Sequence, residues 1–150
     1  MVYLIDVVQD TNGTFLATCK AFPELTTFGD DLEDVRRHAI GALEEAIAAR
    51  IGDGERLPRP ASDAEIRRHK GVAVKLPLMT TLKACLHQAL LESGTTRAEL
   101  TRRLHWHREQ VDRLFRIDHA SRTDQIEAAF QALHRDVDVH VEKVQEKAPA

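Results

Sequence analysis

The residues best equipped for chemistry lie in one stretch, Thr95–Ile117, TTRAELTRRLHWHREQVDRLFRI. Arg97, Arg102, Arg103, Arg108, Arg113 and Arg116 crowd into it. Arginine is the commonest bidentate reader of guanine, and glutamine can pair with adenine, so Arg108, Glu109, Gln110 and Arg113 are types suited to base edges in a major groove. Thr96, Arg97 and Arg102 suit phosphate contacts, which position a protein on a duplex without specifying sequence. His107 stands where it would cap the helix carrying the base readers. Glu109 and Asp112 oppose indiscriminate binding to a polyanion, so DNA contact is expected to be site-selective and salt-sensitive.

Other chemistry is weaker. A two-metal nuclease needs several carboxylates converging on divalent ions, and the candidates are Asp6, Asp10 and Glu33. Asp10 reads as a turn residue and Glu33 as part of a helix cap, so the inactive reading is favoured. His105 and His107, with His119 nearby, lack a fourth ligand at metal-site spacing. Cys19 and Cys85 form no CxxC or other ligand pattern and read as small, half-buried hydrophobes. Gly52-Asp53-Gly54 lacks the lysine and helix start of a phosphate loop. Neither a cofactor nor a metal is expected, and the chain is not expected to be an enzyme.

The positioning elements follow from pattern. Val2–Val8 and Thr14–Cys19 are rich in β-branched and aromatic residues around Asn12-Gly13, a hairpin turn signal. Phe22-Pro23-Glu24-Leu25 breaks the second strand, and Thr26-Thr27-Phe28 leads into Gly29. Asp30 with Glu33 reads as a capping box. The helix behind it carries Leu32, Val35, Ala39, Leu43, Ala46, Ile47 and Ile51 on one stripe that would cover a sheet face, with Glu33, Arg36, Arg37, Glu44 and Glu45 on the wet side. Residues 52–71 read as a loop or short helix, and Val72–Leu76 as a strand that rejoins the sheet before Pro77.

Helices dominate thereafter. Leu82, Cys85, Leu86, Ala89 and Leu90 line one behind Thr80 or Thr81, which Ser93-Gly94 stops. Arg97–Leu104 and Arg108–Ile117, joined by His105-Trp106-His107, have the lengths of a helix-turn-helix, with Ala98, Leu100, Leu104, Trp106, Val111 and Leu114 at its core positions. A further helix spans about Arg122–Leu133, with Ile126, Ala129, Phe130 and Leu133 inward. Val137, Val139 and Val141 alternate with polar residues as one short strand, able to pair with its own domain or with a second copy, before a polar tail from Lys143 to Ala150. The fold class is α+β: a small antiparallel sheet with one helix over residues 1–76, then a helix-turn-helix unit over residues 77–150.

Charge divides along the same line. Residues 1–51 hold nine acids against four bases, whereas residues 95–116 hold six arginines against three acids. Surface fields of opposite sign point to two kinds of partner. No apolar run is long enough to cross a bilayer and the start lacks a signal peptide's basic region, so a cytoplasmic location is expected.

In order along the chain, Val2–Val8, Asn12-Gly13, Phe15–Cys19, Phe22-Pro23-Glu24-Leu25, Gly29-Asp30, Leu32–Ile51 and Leu57-Pro58-Arg59-Pro60 resemble the HicB family, over about half the chain. Val74-Lys75-Leu76-Pro77 and Arg97-Ala98-Glu99-Leu100 look like the branch of that family with a C-terminal helix-turn-helix. The resemblance implies a degraded ribonuclease-H-like domain that neutralises a small basic HicA-type, RNA-cleaving toxin. It also implies autoregulation of the operon by an antitoxin oligomer on operator DNA, an inverted repeat matched by a homodimer or higher oligomer. The acidic N-terminal half suits a basic partner independently, and Asp30, Asp31 and Glu33 are the toxin contacts that charge and exposure suggest. Two alternatives stay open: a helix-turn-helix regulator with a small-ligand sensor domain, and a metal-dependent nuclease.

Overall fold

The computed structural model describes residues 1–145. Four strands, β1 (Val2–Gln9), β2 (Phe15–Thr18), β3 (Thr26–Gly29) and β4 (Val72–Lys75), form one antiparallel sheet in the order β3-β2-β1-β4. Asn12 accepts from Thr14 N–H and hydroxyl, and Gly13 takes φ +86°, which closes the β1–β2 hairpin. The edge strand β3 was not expected: Thr26-Thr27-Phe28-Gly29 is short and follows a proline, yet it pairs with β2 through Leu16↔Phe28 and Ala17↔Thr27. β4 rejoins the sheet beside β1 as expected, with Tyr3↔Val74 and Ile5↔Val72 in register.

Helix α1 (Leu32–Gly52) lies on the inner sheet face, burying Val35, Ala39, Leu43, Ala46, Ile47 and Ile51 against Tyr3, Ile5, Ala17, Val72 and Val74. Leu32 departs from the expected stripe and is half exposed. The cap is displaced by one residue. Asp31 accepts from Asp34 N–H at 2.7 Å, and the Asp34 carboxylate accepts from Asp30 N–H at 3.1 Å, so neither Asp30 nor Glu33 caps the helix. That hydrogen bond from Asp30, then His38 and Arg37, holds the Asp34 carboxyl below its ordinary value. Two glycines are fixed by close approach: a Cβ at Gly29 would lie 2.6 Å from Val35 N, and one at Gly71 2.1 Å from the Ile5 carbonyl oxygen.

Both sheet edges are tied to α1. Arg36 donates to the Ala73 carbonyl of β4 at 3.1 Å, and His38 Nδ1 lies 2.6 Å from the Phe28 carbonyl of β3. Residues two apart on a helix project to nearly opposite sides, so one helix reaches both edges and blunts each against strand addition.

Between α1 and β4 runs a loop and α2 (Asp63–Arg68), opened by a Ser62–Glu65 capping box. The helical half comprises α3 (Leu78–Glu92), α4 (Arg97–Leu104), α5 (Arg108–Leu114) and α6 (Thr123–Ala132). α3 begins at Pro77 and not behind Thr80 or Thr81. Its inward face is rotated from the expected one: Thr80, Lys83 and His87 are buried with Ala84, Leu86, Ala89 and Leu90, while Cys85 is exposed. α5 ends at Leu114, earlier than expected. The Val137–Val141 strand does not form in the single chain, and Val139 and Val141 are exposed. Of the polar tail, residues 146–150 lie outside the described residues. Buried side chains from both halves make one continuous core. Among the described residues no helix is long and apolar enough to cross a membrane.

Candidate functional sites

The helix-turn-helix is built from local signals that agree. Thr96 caps α4, its hydroxyl accepting from Glu99 N–H at 3.1 Å. α4 ends at His105 in the left-handed region (φ 55°, ψ 35°), a conformation more common for glycine and tolerated by histidine. The chain turns through half-buried Trp106, and α5 starts behind His107, whose N–H donates to Gln110 Oε1 at 2.9 Å. Leu100, Val111 and Leu114 are buried between the helices, with Leu104 and Ala98 at its margin.

Lys83 of α3 sets the far end of α5. Its ammonium, with no exposure, donates to the carbonyls of Arg113 (3.0 Å), Arg116 (2.6 Å) and His119 (2.5 Å). Three N–H donors meet three carbonyls at a helix C-terminus, where a cation is favoured. Burial pulls the Lys83 amine down to about 8, so it is still protonated at neutral pH. Other α3 side chains fix the sheet half: Thr80 donates to Glu44 at 2.6 Å, His87 Nε2 lies 2.7 Å from the Glu55 carbonyl, and Gln88 accepts from Leu57 N–H at 2.9 Å. Burial lowers the His87 pKa, and its Nδ1 is buried without a partner, so the ring is neutral and donates from Nε2.

The structure sorts the expected DNA contacts. Arg108, Glu109 and Arg113 project from α5 into solvent. Arg108 lies 3.4 Å from Asp112, leaving part of its fork free. Arg102 on α4 is exposed but paired with Glu99, and that pairing lowers the Glu99 carboxyl pKa. Arg97 turns inward, stacking 4.6 Å from the Phe115 ring centroid and pairing with Asp112 at 3.4 Å. Gln110 is half buried and engaged at the start of α5. Thr96 and His107 stand exposed at the helix starts. Lys83 escaped sequence reasoning because a lysine in an amphipathic helix reads as solvated, and only its lying on one face with Thr80, Ala84 and His87 hints otherwise.

On the N-terminal half Asp30, Asp31 and Glu33 are exposed around the start of α1, with Asp31 engaged as its cap. The outer sheet face carries a feature that depended on the unforeseen β3. Val8, Leu16 and Phe28 are cross-strand neighbours in one row on the outer sheet face, 66%, 45% and 66% exposed. Further along that face, Asp6, Lys20, Arg59, Glu65 and His69 border a cleft of about 260 Å³. Hydrogen bonds from Arg59, then Ser62, hold the Glu65 carboxyl down to about 2, and Arg59 is thereby pinned to α2. Asp10 accepts from Thr11 N–H in the hairpin turn, and Glu33 is exposed, 4.0 Å from the Arg36 guanidinium one turn along α1. Among the described residues no three His, Cys, Asp or Glu side chains gather as a metal site, His105, His107 and His119 included.

Fold and sites together define an α+β protein in which an acidic sheet-and-helix unit with an exposed apolar row is welded by α3 to a helix-turn-helix. The family model for the HicB-like antitoxin of bacterial toxin–antitoxin systems matches residues 2–85. Antitoxin HicB of Pseudomonas fluorescens (strain Pf0-1) is 36% identical over 140 residues, covering 93% of both chains. Antitoxin HicB of Escherichia coli (strain K12) is 27% identical over 137 residues, covering 91% of this chain and 96% of its own. Antitoxin HicB 1 of Photorhabdus laumondii (strain DSM 15139 / CIP 105565 / TT01) is 25% identical over 142 residues, 95% and 88% of the two chains. The chain belongs to the HicB-like antitoxin family, whose members are not enzymes.

Proposed function

We propose that the chain neutralises a small basic HicA-like, RNA-cleaving toxin with residues 1–76 and represses its own operon with residues 77–150, in the cytoplasm, as a homodimer or higher oligomer on an inverted repeat. The observation that carries the DNA reading is the exposed face of α5. Arg108, Glu109 and Arg113 project from a helix whose two ends are fixed by the Gln110 cap and the Lys83 clamp. A rigid recognition helix with exposed arginines is what direct readout of guanine requires. Thr96 and Arg102 flank it near the phosphates. Arg97 supports the fold of the unit through Phe115 and Asp112, and His107 and Gln110 serve mainly to start α5.

For the toxin, the Val8–Leu16–Phe28 row supplies the apolar centre of a contact, and Asp30, Asp31 and Glu33 supply a negative rim facing a basic partner. The chain is co-expressed with a HicA-type toxin and RNA cleavage is measured in the purified mixture. Neutralisation by the wild type, and its loss on Phe28→Asp with the fold retained by circular dichroism, supports the assignment. Unchanged neutralisation by Phe28→Asp removes the apolar row from the toxin contact.

A further inference from the structure

We propose that the cleft between α1 and the segment that follows α5 is a binding site for a small aromatic amine. Such a site lies outside the toxin and operator contacts proposed above and stands without either reading. Its volume, its α1 wall and its charge carry it.

The cleft encloses about 550 Å³ between the two halves of the chain, with α1 as one wall and the start of α4 and residues 115–118 as the other. Small-molecule sites are roughly 300–1,000 Å³ and favour the junctions between structural units. Both walls are held in place by α3. Thr80 donates to Glu44 on one wall, and Lys83 donates to the Arg116 carbonyl on the other.

Along the α1 wall Gly41, Glu45, Ala48 and Gly52 follow one another at helical spacing, so little side chain fills the cleft from that side. Gly41 lies inside the helix, where glycine is less favourable than alanine. It has no positive φ, and a Cβ there would meet nothing within 4 Å. Neither backbone geometry nor packing within the chain calls for glycine at this position, whereas a body lying against the helix does.

The floor is apolar, formed by Ile51, Phe115 and Ile117. At the rim Arg116 is taken up by Asp118 at 3.0 Å, and Arg97 by Asp112 and the Phe115 ring. Among the described residues Glu45 makes no ion pair, and the Glu44 carboxylate accepts from the neutral Thr80 hydroxyl alone. An apolar floor below two uncompensated carboxylates suits an apolar body carrying an ammonium group and disfavours an anion of the same shape. A rigid aromatic ring covers such a floor with little conformational entropy to lose.

The test uses the full chain and three probes: tryptamine, indole-3-acetate with the same ring and opposite charge, and putrescine, a cation without a ring. Tryptamine should bind with a Kd on the order of 1 mM or tighter, and about tenfold more tightly than either of the others. Its amide chemical-shift changes should fall in residues 41–52 and 115–118. Glu45→Gln should weaken tryptamine about threefold, as loss of one exposed charge contact would. Ala48→Trp, which fills the cleft from an exposed position, should abolish binding with circular dichroism unchanged. Absence of tryptamine binding, equal binding of indole-3-acetate, or binding that survives Ala48→Trp overturns the proposal. Shift changes in the cleft on adding a HicA-type toxin, with none on adding tryptamine, overturn it too and assign the cleft to the protein partner.

Discussion

The two halves of the chain solve the same problem by different means. In the sheet half, strands in register and one long amphipathic helix bury an apolar core, with Tyr3 as its only polar-tipped side chain among those fully buried. In the helical half the short helices surround buried Thr80, Lys83 and His87, all on α3, each hydrogen-bonded to another part of the chain. Short helices bury too little area to fix their own orientation, whereas a buried polar group tolerates one arrangement only. The sheet half is therefore specified mainly by packing, and the pose of α5 by the Lys83 contacts from α3.

The sharpest way to break that contrast is to disturb each device once. Gly71→Ala forces a Cβ into the Ile5 carbonyl and should destabilise the sheet half by roughly 3 kcal/mol or more, read by denaturant unfolding. Lys83→Met leaves the Arg113, Arg116 and His119 carbonyls without their donor and should cost about 2–4 kcal/mol. Its amide-exchange losses should concentrate in α4 and α5. Uniform loss over the whole chain would show that the two halves melt as one unit and that α3 is not a local clamp.

A pH series sharpens the comparison further. The His87 pKa is lowered in the folded chain, so its contribution is full above the ordinary histidine value of 6.5 and declines as pH falls through the lower folded value. Stability should fall as pH drops below the ordinary histidine value, and His87→Gln should flatten that slope. The smallest effect is expected at His105, where glycine relieves left-handed strain: His105→Gly should stabilise by up to about 1 kcal/mol, visible as a small rise in Tm.

Legibility in the sequence followed the same division. The β1–β2 hairpin, the α1 stripe and β4 were readable because Asn12-Gly13, helical spacing and strict alternation each point one way. β3 was not: four residues behind a proline carry no periodicity, and their partner β2 is distant in neither sign nor pattern from any other strand. With β3 went the Val8–Leu16–Phe28 row, which exists only once Phe28 is in register. The two short helices were legible from their caps and turn, though α5 ends three residues before the expected Ile117, and the roles of the arginines were not legible. Arg97 and Arg102 look alike in sequence, and tertiary partners, Phe115 with Asp112 for one and Glu99 for the other, separate them. The Val137–Val141 alternation was visible, but among the described residues the segment pairs with no strand.

The division of labour between the halves is tested most directly by measuring two affinities on one variant. Arg108→Ala/Arg113→Ala removes exposed side chains of α5 and leaves the Gln110 cap and Lys83 contacts in place. Each arginine reading a base is worth about 1–3 kcal/mol, so operator affinity should fall at least tenfold while affinity for the toxin stays unchanged. Equal loss of both, with the fold intact, would contradict the account.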